Sequence, residues 1–309
     1  MPRAIQFDHY GDLDVLHVAE VPEPSPAGGE VEVRVVVAGT NPGEISIRTG
    51  ALESIYPTTF PCGEGTDFAG VVANVGPQVT SFLVGDDVIG WTDQRSAQAD
   101  YVVVPEDHLI VKRAELPWEV AGGLFVVAAT STACVRAVAP KPHETVVVAG
   151  AAGGVGGLAA QLAMLSGATV VGIASDAHAD WLTSIGVTPV AYGDGMRERI
   201  DVAAPDGVDA FIDAHGSGYV DAAIDLGVAP DRINTVIDFP AAQKYGAHAD
   251  GMSTASTADV LAHVADLIAD GSVTLPIDAT FPLDEVRDAY TELAKGHTRG
   301  KIVLTVSPT

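Results

Sequence analysis

The chain has 309 residues, 47% of them hydrophobic, which excludes disorder as its main state and leaves room for two domains. Its 41 acidic residues outnumber 16 basic ones, giving a net charge of -25 that argues against nonspecific affinity for nucleic acid or anionic membranes. The only cysteines, Cys62 and Cys134, are too few for a disulfide framework, and the amino terminus has no apolar secretion core. We therefore expect a cytoplasmic protein.

Short β-rich runs separated by Gly and Pro characterise the chain from residue 1 to 118. Val31–Val37 and Ala99–Val104 are two such runs. Their β-branched and aromatic residues favour strands, and Gly and Pro mark the turns between them. The pattern predicts a mainly β domain over residues 1–118.

Apolar strands alternate with helical segments from residue 119 to 274. Five strands are predicted, near 145–149, 169–174, 189–192, 208–213 and 232–238. Strands and helices in alternation are typical of a doubly wound parallel sheet. We therefore predict an α/β domain over residues 119–274.

Two further helices and a strand are predicted near the carboxyl end. The first helix begins after Thr257, carries apolar residues at helical spacing and ends at Gly271, which indicates a core-facing stripe rather than a ligand site. The second helix is predicted near 284–295 and the strand over 300–306. We expect residues 275–309 to rejoin the mainly β domain.

A long uncharged stretch in the middle of the chain carries the clearest chemical signal. The strand Thr145–Ala149 breaks into a glycine-rich turn and continues as a helical pattern, and Thr169–Ala174 follows as the next strand. Small residues in such a turn let the backbone approach a pyrophosphate, and the free N–H groups at the helix start favour the anion. The complete βαβ unit favours nucleotide binding over a purely structural turn, and its glycines argue against a membrane span. The turn residues predicted to bind the cofactor are Gly150, Ala151, Ala152, Gly153, Gly154 and Val155.

Five motifs follow one another along the chain: Val36–Pro42, Gly65–Val72, Val84–Val88, Gly150–Gly156 and Arg299–Leu304. In this order they resemble the zinc-independent quinone oxidoreductase (zeta-crystallin-like) branch of the medium-chain dehydrogenase/reductase superfamily, over essentially the whole chain. The resemblance implies a Rossmann-like doubly wound parallel sheet domain over 119–274. It also implies a mainly β, GroES-like catalytic domain over 1–118 and 275–309, and a homodimer.

The resemblance also bears on metal binding. Zinc-dependent relatives hold their metal with a Cys where this chain has Asn41 and a His where it has Thr66, and they carry a separate Cys cluster that is missing here. Tetrahedral zinc sites require thiolate or imidazole ligands. We predict no metal, and hence direct hydride transfer from a reduced nicotinamide to a quinone or an α,β-unsaturated carbonyl.

The resemblance assigns catalytic candidates. Asn41 is expected to approach the nicotinamide and donate to the cofactor or to the developing enolate or hydroquinone oxygen, although it also suits the end of a strand. Thr130 resembles the family Thr that contacts the nicotinamide side of the cofactor. Its hydroxyl could equally form a hydrogen bond with the backbone of its own helix. Tyr56 and Ser46 occupy the region that lines the substrate cleft in this family. The alternative role for Tyr56 is packing. Asp67 is expected to have a structural hydrogen-bonding role.

Cofactor selectivity is predicted from the end of the second strand of the βαβ unit. Ala174 stands where NAD-selective sites place an acid for the ribose diol, so nothing there repels a 2′-phosphate. Ser175, His178 and Tyr192 are expected to supply hydrogen-bond donors and a stacking face, while Asp176 opposes a phosphate. We predict NADPH, with NADH as the alternative.

The nicotinamide end of the cofactor is predicted at the fourth and fifth strands. Gly216 and Phe239 fall near the carboxyl ends of these strands, where open α/β folds place ligands. His215 is either a general acid or a solvated loop residue.

The sequence therefore predicts an NADPH-dependent reductase that acts on a small electrophile, a quinone or an enone. One alternative is an enoyl-thioester reductase, which would need a basic patch for a phosphorylated carrier and is disfavoured by the acidity of the chain. The other alternative is a nucleotide-binding relative without catalysis.

Overall fold

The computed structural model describes residues 1–307. In chain order its strands are β1 Arg3–Phe7, β2 His17–Glu20, β3 Glu30–Gly39, β4 Cys62–Gly63, β5 Asp67–Val75, β6 Asp87–Trp91, β7 Tyr101–Pro105, β8 Leu109–Val111, β9 Thr145–Ala149, β10 Thr169–Ala174, β11 Thr188–Ala191, β12 Ala210–Asp213, β13 Ile233–Thr235, β14 Ile277–Pro282 and β15 Lys301–Thr305. Its α-helices are α1 Pro42–Arg48, α2 Trp118–Gly122, α3 Phe125–Val138, α4 Gly154–Leu165, α5 Ala179–Ser184, α6 Met196–Ala203, α7 Tyr219–Asp225, α8 Phe239–Tyr245, α9 Ala258–Ala269 and α10 Val286–Ala294.

The chain divides into two compact units. The first unit contains residues 1–126, 257–270 and 276–307, and the second contains residues 127–256 and 271–275. Among the described residues, no helix is both long and apolar enough to cross a bilayer.

The first unit is mainly β, as predicted for a GroES-like domain. Strands β14-β15-β3-β5-β6-β8 form one sheet in that order, with β7 also paired to β3, and β2-β1-β4 form a smaller sheet. Val31, Val33 and Val35 of β3 are fully buried in its core together with Phe68 of β5 and Tyr290 of α10. Burial of such apolar side chains supplies the main driving force for this unit.

The carboxyl-terminal strand belongs to this sheet. β15 pairs antiparallel with β3, with Val303 opposite Gly39. The pairing brings the segment around Lys301 next to the end of β3, although the two are remote in sequence. The same pairing places Lys301 close to the residues that follow β3.

Helix α9 also packs in the first unit, whereas the sequence assigned it to the cofactor domain. Val260, Leu261 and Val264 are buried, as expected for a core stripe. The helix contacts β8, and Arg113 forms an ion pair with Asp266 at 2.9 Å. Periodicity reveals that a helix has an apolar face, but it does not reveal which of two cores that face enters.

The second unit contains the predicted doubly wound parallel sheet. Its strand order is β11-β10-β9-β12-β13, and every adjacent pair is parallel. In β9, Val146 and Val148 enter one apolar core while Val147 and Ala149 enter the other. Both faces of the sheet are therefore covered, which explains the continuous apolar run in the sequence.

Strand β9 lies at the topological switch point of this sheet. The chain proceeds from β9 to β10 and β11 on one side, and then crosses to β12 and β13 on the other. At such a point the loops after neighbouring strands diverge, and open α/β folds bind ligands in the resulting crevice. We therefore expect a cofactor site at the carboxyl edge of the sheet in the second unit.

Gly300 is expected to be essential for the turn before β15. Its φ is +77°, and a Cβ added there would lie 2.0 Å from the carbonyl oxygen of Pro276. Gly300→Ala should lower the free energy of unfolding by about 2 kcal/mol or more, measured by urea denaturation, because left-handed strain and a backbone clash add together. Gly296→Ala is the matched control, since its φ is +71° and nothing lies within 4 Å of its added Cβ. Equal losses in the two variants would contradict this account.

Candidate functional site

The glycine turn leaves the beginning of α4 accessible to an anion. Gly150 has a φ of +72°, and the N–H of Gly153 donates to its carbonyl oxygen at 2.9 Å. Gly153 is the N-cap of α4 and has no side chain to accept from the first-turn amides. These amides and the helix dipole fit a phosphate, whose charge they would neutralise without a side chain.

Gly156 has a different role in the same turn. A Cβ at this position would lie 2.2 Å from the carbonyl oxygen of Gly150, which is far below contact distance. At Gly153 the corresponding distance to the same oxygen is 3.4 Å, an ordinary contact. Gly156 is therefore required for the approach of helix to strand, whereas Gly153 keeps the anion side of the turn open.

The candidate cofactor residues of the second unit lie along one edge of its sheet. Tyr192 follows β11, Ser175 and His178 follow β10, and the glycine turn follows β9. Gly216 comes after β12, and Phe239 begins the helix after β13. Because the sheet order is β11-β10-β9-β12-β13, these candidates succeed one another across the carboxyl edge.

One end of this line contains the residues predicted for the adenosine side. Strand β10 ends at Ala174, and the N–H of Tyr192 donates to the Ala174 carbonyl oxygen at 3.3 Å. The Tyr192 side chain is half exposed. Ser175 caps the turn that follows, and its hydroxyl oxygen accepts from the N–H of Ala177 at 3.4 Å.

A fixed cation that the sequence pattern does not indicate lies at this end of the sheet. Arg199 of α6 donates from Nε and Nη2 to the carbonyl oxygen of Ala191 at 3.1 and 2.8 Å. Its Nη1 donates to the carbonyl oxygen of Asp194 at 2.9 Å. Arg199 thus holds the loop that carries Tyr192. From the sequence, a cation is expected directly after β10, where none occurs, whereas Arg199 lies in the helix that follows β11.

The opposite end of the line contains the residues predicted for the nicotinamide side. Gly216 is buried with a φ of +84°, and its added Cβ would lie 3.0 Å from Cγ2 of Ile237. Phe239 is partly exposed. His215 is exposed, and its ring meets that of Tyr219 edge-on with centroids 5.8 Å apart. The solvated-loop alternative for His215 fits this exposure.

In the first unit, Asn41 is held by charged neighbours. Its Nδ2 donates to Asp67 Oδ1 at 2.8 Å and to Glu44 Oε1 at 3.1 Å, while its Oδ1 accepts from Lys301 Nζ at 2.8 Å. Both amide hydrogens are therefore used inside the protein. To donate to a cofactor, as predicted, the Asn41 amide would have to break its hydrogen bond to Asp67 or to Glu44. Asp67 has the structural hydrogen-bonding role expected from the sequence.

These contacts belong to a larger buried cluster. Tyr290 Oη donates to Glu44 Oε2 at 2.6 Å, and Arg48 pairs with Glu64 while its guanidinium carbon lies 4.7 Å from the centroid of the Tyr290 ring. The charged members are the carboxyl groups of Glu44, Glu64 and Asp67 and the cations Arg48 and Lys301. Burial in low dielectric makes each unbalanced charge costly.

The excess of acids over cations perturbs the carboxyl groups. Burial, with the Asp67 carboxylate as the next cause, raises the pKa of Glu44. Burial and the Glu44 carboxylate raise the pKa of Glu64 to about 8, against the opposing effect of Arg48. The cluster therefore favours one retained proton at neutral pH.

The remaining catalytic candidates are divided between the units. Thr130 lies in α3, in the second unit, and is largely buried. Tyr56 lies in the first unit, on a surface loop with 45% of its area exposed. Arg95 donates to the Pro57 carbonyl oxygen at 3.4 Å and to Thr58 Oγ1 at 3.1 Å, which fixes that loop. Ser46, in α1, is half-buried.

The residues around Asn41 do not fit a tetrahedral zinc ion. Asn41 and Thr66 offer an amide and a hydroxyl in place of thiolate and imidazole, and the Lys301 ammonium lies 2.8 Å from Asn41 Oδ1, where it would repel a metal. Within residues 1–307, no group of three or more His, Cys, Asp or Glu side chains is arranged to hold a metal ion. The metal-free mechanism stays a prediction.

Comparisons with known proteins agree with this architecture. Residues 27–115 match the alcohol dehydrogenase GroES-like domain family, and residues 185–304 match the family described as zinc-binding dehydrogenase. The chain is 29% identical to the quinone oxidoreductase of Pseudomonas aeruginosa, covering 98% of this chain and 99% of that protein. It is 27% identical to the chloroplastic NADPH-dependent alkenal/one oxidoreductase of Arabidopsis thaliana, and the match covers 99% of this chain and 80% of that protein. The solved structure of the quinone oxidoreductase from Coxiella burnetii superposes with a TM-score of 0.88 at 28% identity, covering 99% of both chains.

A valine at position 153 should separate anion binding from folding. The added Cβ makes only an ordinary contact, 3.4 Å from the Gly150 carbonyl oxygen, so Gly153→Val should unfold with a free energy within about 1 kcal/mol of the wild type. The valine would occupy the anion side of the turn, and nucleotide affinity measured by calorimetry should fall at least about tenfold. Gly251→Val is the control, because its φ is -142° and nothing lies within 4 Å of its added Cβ. Unchanged nucleotide affinity in folded Gly153→Val would refute the placement of the turn.

Stability should fall as pH rises towards 8. The pKa of Glu64 is about 8 in the folded state against 4.5 for the free side chain, so between these values the folded protein retains a proton that the unfolded chain releases. The free energy of unfolding should decrease through this window with a slope of up to about 1.4 kcal/mol per pH unit. Urea denaturation across this range measures the slope.

Glu64→Gln should flatten that slope, because glutamine resembles the protonated carboxyl and does not titrate. The exposed Glu53→Gln provides a control that keeps the slope. A Glu64→Gln protein with an undiminished slope would show that the retained proton lies elsewhere.

Proposed function

Because the chain belongs to the quinone oxidoreductase branch of the medium-chain dehydrogenase/reductase superfamily, we propose that it transfers a hydride from NADPH to a quinone or an α,β-unsaturated carbonyl without a metal. The observation that carries this proposal is the line of candidate residues along the carboxyl edge of the second unit. The line crosses the switch point at β9, where the glycine turn offers its amides to an anion.

The proposed cofactor orientation follows the order of the strands. Ser175 and Tyr192 face the adenosine end, the glycine turn binds the pyrophosphate, and Gly216 and Phe239 border the nicotinamide. When bound, NADPH supplies the hydride. The residues along this edge orient the cofactor for the transfer.

NADPH is proposed over NADH on two grounds. Ala174 ends β10 without the carboxylate that would bind the ribose diol and repel a 2′-phosphate. Arg199 places a permanent positive charge at the loop that carries Tyr192. The Arabidopsis relative, which is named as an NADPH-dependent oxidoreductase, supports the same choice.

Quinones and enones have one chemical feature in common. Each presents an electrophilic carbon conjugated to a carbonyl oxygen, and that oxygen gains negative charge as the hydride arrives. A hydrogen-bond donor near this oxygen would stabilise the charge. Tyr56 is the proposed candidate, because its phenol is exposed on a loop fixed by Arg95, whereas the hydrogens of the Asn41 amide are already engaged.

The first test is oxidation of NADPH and NADH by chelator-treated protein, followed against parallel panels of quinones, enones and enoyl thioesters. We expect turnover with NADPH and a quinone or an enone, and a raised KM for NADPH in Gly153→Val. Turnover restricted to enoyl thioesters would support the thioester reductase alternative. Nucleotide binding without turnover of any acceptor would support the non-catalytic alternative. A homodimer is also proposed, and light scattering would test it.

Arg199→Met should reduce the preference for NADPH. Loss of the guanidinium removes the charge and releases the Tyr192 loop, so the KM for NADPH should rise about tenfold while that for NADH changes less than about threefold. Arg197→Met is the control, since this arginine lies on the same helix and donates instead to the Asp225 carbonyl oxygen. Equal increases in KM for the two cofactors would show that Arg199 acts on the loop alone.

A further inference from the structure

Asp213 ends β12 with a fully buried carboxylate. Its Oδ1 accepts from the N–H groups of His215 at 3.0 Å and Gly216 at 2.7 Å. Its Oδ2 accepts from the Thr235 hydroxyl at 2.8 Å. Three hydrogen bonds thus compensate a charge that would be costly to bury alone.

Thr235 ends the neighbouring strand β13 and lies directly opposite Asp213 in the ladder. Its hydroxyl donates to Asp213 and its Oγ1 accepts from the N–H groups of Ile237 at 3.2 Å and Asp238 at 3.0 Å. One hydroxyl therefore ties the loop after β13 to the carboxylate that organises the loop after β12.

These two loops also contact each other and the glycine turn. An added Cβ at Gly216 would lie 3.0 Å from Ile237, and one at Gly150 would lie 3.3 Å from the carbonyl oxygen of Ala214. The loops after β9, β12 and β13 are therefore packed in sequence, with little space for relative movement.

We propose that the Asp213–Thr235 hydrogen bond is a positioning device for the nicotinamide end of the cofactor site, an inference that rests on the proposed function. Both side chains are fully buried, so neither contacts the ligand. They act through the amides they bind, and thereby set the positions of the partly exposed Ile237 and Phe239 side chains. Their hydrogen bonds go to the loops after β12 and β13, whereas the adenosine and pyrophosphate candidates follow β11, β10 and β9.

The test compares NADPH with 2′,5′-ADP, a fragment that lacks the nicotinamide. In Thr235→Val, which keeps the side-chain shape and removes the hydroxyl, the Kd for NADPH should rise about tenfold while that for 2′,5′-ADP stays within about twofold of the wild type. Thr235→Ser retains the hydroxyl and should restore NADPH affinity. Thr183→Val, which removes an exposed hydroxyl bonded to the Ala179 carbonyl oxygen, is the matched control.

A merely structural role would produce a different pattern. If Thr235→Val raised the Kd for NADPH and for 2′,5′-ADP equally, or changed neither, the positioning role would be overturned. Wild-type protein that bound neither ligand would contradict the cofactor proposal itself, and this result is distinguishable because it appears without any substitution.

Hydrogen exchange on the wild-type protein gives a second measurement that does not depend on the folding of a variant. The amides of His215, Gly216, Ile237 and Asp238 should gain protection with NADPH and not with 2′,5′-ADP, because only the former reaches these loops. The same protection with both ligands, or with neither, would overturn the proposal.

Discussion

Helix α4 can approach the end of β9 only because position 156 has no side chain, and the rest of the second unit depends on this contact. A Cβ at Gly156 would meet the Gly150 carbonyl oxygen at 2.2 Å. With helix and strand this close, the first-turn amides of α4 are directed to the carboxyl edge of the sheet. The central position of β9 then places the loops of two strands on each side of those amides.

The first unit is organised by a different constraint, the burial of five ionisable side chains. Lys301 and Arg48 neutralise much of the acidity of Glu44, Glu64 and Asp67, and Tyr290 links parts of the cluster. Such a cluster is a weak source of stability, because desolvation offsets the attraction between its charges. Its clear consequence is geometric, since it fixes the Asn41 amide through three hydrogen bonds.

Much of the architecture could be predicted from local patterns. β9 and β10 have the predicted bounds because their uncharged, largely apolar runs end at Gly150 and at the capping Ser175. The strand predicted over 232–238 ends at Thr235, because the next amides bond to the Thr235 hydroxyl instead of continuing the ladder. A run of apolar residues does not reveal where a side chain replaces the neighbouring strand as hydrogen-bond partner.

The sequence by itself determined the order of the elements and the location of the glycine turn, because periodicity and backbone freedom are properties of neighbouring residues. Only the tertiary structure decided that Arg199 supports the Tyr192 loop, that Lys301 binds Asn41, and that Asp213 faces Thr235. These partners are separated along the chain and meet through strand register and helix packing. Their hydrogen bonds depend on distances of a few ångströms that no local pattern encodes.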